Sequence, residues 1–96
     1  MNMSGYQFSG PFDPNRGFTK VVPAVYVIVD STSRVLEVGQ TGDLNNRFPN
    51  HPRENSWKNK AQGQFTMYVY QDGNENSRLL LESFIRTQYN PPCGKR

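Results

Sequence analysis

Apolar residues fall along this chain in two rhythms. Between residues 23 and 30 they run almost unbroken, "PAVYVIVD", rich in β-branched and aromatic types. A run that is apolar on both faces predicts a central strand. Residues 31–33, "STS", read as a turn, and residues 34–39, "RVLEVG", as a second strand, so the two form an antiparallel hairpin. Side chains alternate along a strand. Tyr26 and Ile28 therefore share one face of the first strand, and Val25, Val27 and Val29 the other. On the second strand Leu36 and Val38 share one face, and Val35, Glu37 and Gly39 the opposite one. If the two apolar sets pack together, Glu37 and Tyr26 stand on the same side of the sheet.

The second rhythm is helical. Residues 75–89, "ENSRLLLESFIRTQY", place Leu80, Leu81, Phe84 and Ile85 on one stripe at 100° per residue, with Glu82 at its border and Leu79 and Tyr89 flanking it. Asn74 is a helix cap after an Asp72-Gly73 turn, and the prolines of "NPPCGKR" prevent further helix. A third strand is read over residues 64–70, "QFTMYVY". Between the second and third strands, Thr41 or Asp43 caps a helix starting near Leu44, which Pro49 ends or kinks. If that helix survives the proline, Arg47 and His51 lie at i and i+4 on one face. Residues 52–63 read as a polar loop or short helix carrying Trp57. Residues 1–20 show no period. Tyr6, Phe8, Phe12 and Phe18 are too many large rings to leave in water, so this extension is expected to lay them across the domain. The fold class is α/β: a small three-stranded, mainly antiparallel sheet flanked by helices, with residues 21–96 as one domain after a 1–20 extension.

Composition narrows the setting. Ninety-six residues, 34% of them hydrophobic, allow one core and no second. Eleven Lys and Arg against eight Asp and Glu leave a formal charge of +3, compatible with a polyanionic partner. The single cysteine, Cys93, excludes an internal disulfide and fits a reducing compartment. No apolar run approaches the roughly 18 residues of a membrane span, and the first residues lack the charged start and apolar stretch of a signal peptide. The expectation is a soluble, cytoplasmic protein with no membrane contact.

The candidate chemistry sits on these elements. "VYV" at 25–27 and "EVG" at 37–39, with Arg47, His51, Glu82 and Asn90, resemble the GIY-YIG nuclease superfamily across residues 23–92. Tyr26 and Glu37 are 11 positions apart, in the family's usual range. The chain is also similar to a compact subgroup ending in "YNPPCG". The resemblance implies a divalent-metal-dependent endonuclease that hydrolyses phosphodiester bonds in nucleic acid, DNA more than RNA, with one Mg2+ (or Mn2+) ion. Carried over, Glu82 is the metal ligand and Arg47 holds the scissile phosphate. Tyr26 lines the site and positions or deprotonates water, His51 assists proton transfer, and Asn90 supports the site. Such residue types suit the task. A carboxylate suits a hard cation that keeps several waters, and a guanidinium binds phosphate bidentately and stays charged. Trp57 with Lys58 and Lys60 would stack on a base and hold a backbone. A domain this small implies low sequence specificity, or help from a partner protein or a homodimer.

Each residue also has a purely structural reading. Glu82, with Arg78 and Arg86 four residues to either side, fits a helix ion-pair ladder. Arg47 fits a solvated helix surface, His51 and Asn90 turns, Tyr26 and Trp57 the core, and Cys93 a small packed residue. Two departures from the family pattern stand out: Ala24 replaces its first glycine, and Glu37 its second tyrosine. Three readings of Glu37 compete. It replaces the tyrosine as base, or it joins Glu82 on the metal, or cleavage is lost and a binding module remains. On the first two readings Glu37 points into a cleft beside Glu82 and Arg47. A protein-interaction scaffold is a further class, since fold does not dictate function.

Overall fold

The computed structural model describes residues 1–16, 21–48 and 51–93, and of Arg47 the backbone only. Phe18, Pro49 and the last three residues lie outside the described part. Two short strands, β1 (Asn2–Met3) and β2 (Tyr6–Gln7), form a hairpin. The main sheet is antiparallel and four-stranded, in the order β3 (Ser9–Phe12), β6 (Phe65–Gln71), β4 (Ala24–Asp30), β5 (Val35–Thr41). Three helices complete the described fold: α1 (Leu44–Arg47), α2 (Glu54–Lys60) and α3 (Glu75–Tyr89). Among the described residues no helix is long and apolar enough to cross a membrane.

The central strand is the one the apolar run predicts. All seven residues of β4 are buried, and it pairs along its whole length with β5 on one side and β6 on the other. The sheet has four strands where the pattern predicts three, and the fourth comes from the extension, which shows no period in sequence. Ser9 pairs with Val69 and Phe12 with Met67, so β3 covers what would otherwise be the open edge of β6. Met3 and Phe8 enter the core, and Tyr6 and Phe8 both pack on Tyr70.

The β4–β5 register puts Tyr26 opposite Gly39, Val27 opposite Val38 and Ile28 opposite Glu37, then slips so that Val29 faces Val35. Leu36 is the extra residue of this bulge. The slip corrects simple alternation. Leu36 joins the Tyr26 side of the sheet, while Val35 joins Val38 on the other. Tyr26 and Glu37 do share a face. Asp30 closes the hairpin: its carboxylate accepts from the Thr32 hydroxyl and from the Thr32, Arg34 and Gln62 amides. The Thr32 bond first, then the amides, hold its carboxyl down to about 2.

Composition allows for one core only, but the central sheet divides the buried apolar residues into two clusters, one on each face. On one, α3 presses Leu81 and Ile85 onto Val25, Val27, Val29, Val35 and Val38. On the other, α1, α2 and Cys93 bring Leu44, Phe48 and Trp57 against Tyr26, Ile28, Leu36 and Met67. Helix α3 has the expected bounds and the expected Asn74 cap, whose side chain accepts from the Ser77 amide. Its buried stripe, however, is rotated. Arg78, Leu81, Glu82 and Ile85 turn inward, while Leu80 is 74% and Phe84 46% exposed. The cause is β5, which offers polar partners to that side of the helix. The Arg78 Nε donates to the Gln40 side chain at 3.1 Å, and the Arg86 Nη2 donates to the Val38 carbonyl.

Candidate functional site

The site is built around Gly39 on β5, a strand with a neighbour on one side only. Tyr26 reaches across from β4 and lays its ring over Gly39. A Cβ at position 39 would collide with the ring and the hydroxyl, so only glycine leaves the phenol room to pass. Beyond Gly39 the Tyr26 hydroxyl meets the His51 Nε2 at 2.9 Å, in a buried contact. Helix α1 ends at Arg47, with Phe48 already extended, so His51 is not one turn along the same helix from Arg47. It sits instead just ahead of α2, packed between Phe48 and Trp57 with ring centres 5.3 and 4.7 Å away.

The hydrogen bonds define how His51 is protonated. Its Nδ1 accepts the Arg53 backbone N–H at 3.1 Å. In the neutral ring the proton therefore belongs on Nε2, assigned from its partners, where it is donated to the Tyr26 oxygen.

Glu37 does not point towards α3. It is fully buried and faces α2. The Arg53 Nε donates to both of its oxygens, at 2.8 and 2.9 Å, and the Arg53 Nη2 lies 2.7 Å from Oε2. The Trp57 indole N–H donates to Oε1 at 2.8 Å. Both oxygens are thus occupied by donors, and the cation on them is Arg53; the side chain of Arg47, expected beside Glu37, lies outside the described residues. The Glu37 bond, followed by its charge, raises the Arg53 pKa above its ordinary value, and a contact with the Tyr26 phenol adds to this.

Trp57 is equally enclosed, so it is not placed to stack on a base as the sequence suggested. The exposed cations of α2 are Lys58, 3.6 Å from Glu54, and Lys60. Asn90 caps α3 in the left-handed conformation (φ 45°), a geometry that asparagine tolerates well, and its amide donates to the Arg86 carbonyl. Its placement gives it a helix-ending role.

Glu82 lies one helical turn from both Arg78 and Arg86, and its carboxylate is 3.7 Å from the Arg86 guanidinium. Those two arginines hold Gln40 and Val38, the residues flanking Gly39. Glu82 and Tyr26 thus belong to opposite faces of the sheet, and Glu82 is tied to β5 through its Arg86 partner. Among the described residues no three His, Cys, Asp or Glu side chains gather as a metal cage. A lone carboxylate is still an adequate donor for magnesium, which takes one or two protein carboxylates and keeps its waters.

Sequence reasoning missed Arg53. Its only signal was a cation two residues after the sole histidine, inside a polar stretch. No family model, no curated protein and no solved structure matches this chain.

Proposed function

We propose that the protein is a divalent-metal-dependent phosphodiesterase of the GIY-YIG type that cleaves nucleic acid, DNA in preference to RNA. The observation that carries this reading is the buried Tyr26–His51 hydrogen bond. It joins two residues 25 positions apart, over a glycine that has to be a glycine for the ring to pass. On this reading Tyr26 works as its phenolate, which positions the attacking water and takes its proton to become the neutral phenol, while His51 donates Nε2–H to that oxygen and holds it in place. Arg47, at the end of α1, binds the scissile phosphate and stabilises the charge that grows there. Glu82 would hold one Mg2+ or Mn2+ ion, which, when bound, supplies positive charge to the phosphate. Glu37, with both oxygens occupied, is neither base nor ligand here; it fixes Arg53 and Trp57.

One observation favours a second reading, a GIY-YIG-like module that binds nucleic acid without cleaving it: Tyr26 and His51 are both buried. Incubating DNA and RNA, single- and double-stranded, with Mg2+, Mn2+ or chelator separates the two. The nuclease reading expects metal-dependent cleavage that Glu82→Gln abolishes while the variant stays folded and keeps its affinity. Binding without cleavage under every metal transfers the case to the module. Cleavage that is unaffected by Glu82→Gln removes Glu82 from the site.

A further inference from the structure

We propose that Arg53 is a second phosphate-binding arginine, which the buried Glu37 holds in a fixed orientation beside the Tyr26 phenol. This rests on the nucleic-acid reading above and adds a contact that the motif residues do not include.

Stability explains the Glu37–Arg53 pair poorly. A buried carboxylate carries a desolvation penalty, and apolar groups of similar volume often serve a fold as well or better. Glu37 is completely enclosed, yet the Arg53 side chain it binds is 41% exposed. A pair that is buried at one end and open at the other acts as a mount: the enclosed anion fixes the angle of a cation that faces out.

The planarity of the guanidinium says which part faces out. Glu37 takes the side formed by Nε and Nη2. A guanidinium has five donors in a rigid fork, so the end formed by Nη1 and Nη2 is directed away from that carboxylate. That end is the one that grips a phosphate through two parallel bonds. Because Glu37 has already ordered the side chain, little rotamer freedom is lost on binding.

Its position suits the role. The guanidinium contacts Tyr26, and the Arg53 amide holds His51 Nδ1, so one residue touches both members of the proposed proton-transfer pair. The surroundings are cationic. Arg34 and Lys60, both exposed, stand near enough to act with Arg53 on the Cys93 thiol. Charged neighbours of this kind draw a polyanion to that end of the sheet.

The test measures anisotropy of a fluorescently labelled DNA duplex in chelator, so that cleavage does not intervene, across a salt series. Arg53→Gln should weaken binding about tenfold, as expected for loss of a charge-assisted contact. It should also reduce the salt slope by about 0.9 for the lost phosphate. Arg53→Lys keeps the charge without the fork, so it should retain the slope and lose part of the affinity. A variant that is folded but binds with wild-type affinity and slope overturns the proposal. Should Arg53→Gln not fold, the wild type still decides: the Arg53 Nη resonances should shift as unlabelled duplex is added, and unmoved resonances at saturation overturn the assignment. A wild type that binds no nucleic acid instead overturns the functional reading itself. Binding and cleavage that survive Arg53→Gln overturn Arg53 alone.

Discussion

The two faces of the central sheet are built on different principles. Under α3, valines from β4 and β5 meet Leu81 and Ile85, and the polar residues of that helix are sent to the margin, where Arg78 and Arg86 hold β5. Under α2, the middle of the face is polar. Glu37, Arg53, Trp57, Tyr26 and His51 form one hydrogen-bonded set inside a ring of aromatics. Both faces bury an apolar cluster, but the first is apolar through its middle. The second carries buried polar groups that folding alone does not require, each bonded to another of the set, and such networks lose heavily when one member goes. That asymmetry is the physical ground on which the proposed site is placed on the α2 side, while Glu82 stands on α3 at the other face.

The largest effect expected from breaking this contrast is at Trp57. Trp57→Ala empties the aromatic ring and leaves Glu37 short of a donor, and should destabilise the fold by about 3–5 kcal/mol. Ile85→Val, a trim on the apolar face, should cost only about 0.5–1.5 kcal/mol. Urea melts of the two variants measure the difference. Equal losses would mean that the polar face packs as an ordinary core.

Gly39→Ala should be smaller in stability and large in function. The new Cβ meets the Tyr26 ring, so the ring has to move off its track, at a cost of about 1–3 kcal/mol for overpacking. The Tyr26–His51 contact should be lost from the His51 side-chain NMR signals, and cleavage with it.

The Asp30 hairpin closure is the gentlest probe, since it lies away from both faces. Its carboxyl is held down to about 2 in the fold and sits near the ordinary value of about 3.9 when unfolded. The stability it contributes is therefore complete above about pH 4 and is lost as the pH falls through about 2. Asp30→Asn should lower stability at neutral pH and flatten that acid limb in pH-dependent melts, with cleavage at neutral pH unchanged.

How far these faces could be read beforehand depended on whether a residue's partner was local. The bounds of α3 were legible because Asn74 and Asn90 end it through their own conformations and bonds to nearby backbone. Strand β4 was legible because a strand flanked on both sides is apolar throughout. The rotation of α3 was not: Arg78 and Arg86 read as a surface ladder with Glu82 until Gln40 and the Val38 carbonyl, far off in sequence, supply partners for the two arginines. Strand β3 hides a proline and a glycine within four residues and exists because β6 offers an open edge. Within the site, Tyr26 and Glu37 on one face followed from alternation, even though the bulge at Leu36 upset the positions before them. Glu37 pairing with Arg53 did not follow, because that arginine lies 16 residues on, in a segment whose polar pattern resembles a loop.

Tyr26→Phe isolates the part of the phenol oxygen, because it removes that one atom and leaves the ring over Gly39. Cleavage of DNA in Mg2+ and thermal unfolding are measured on the same samples. Stability should fall by about 1 kcal/mol, the worth of one hydrogen bond, and cleavage should drop to the level seen in chelator. A wild type that cleaves, with Tyr26→Phe cleaving at the same rate, would contradict this expectation: Tyr26 and His51 would then be only a packed pair, and the polar face would have no part in the chemistry.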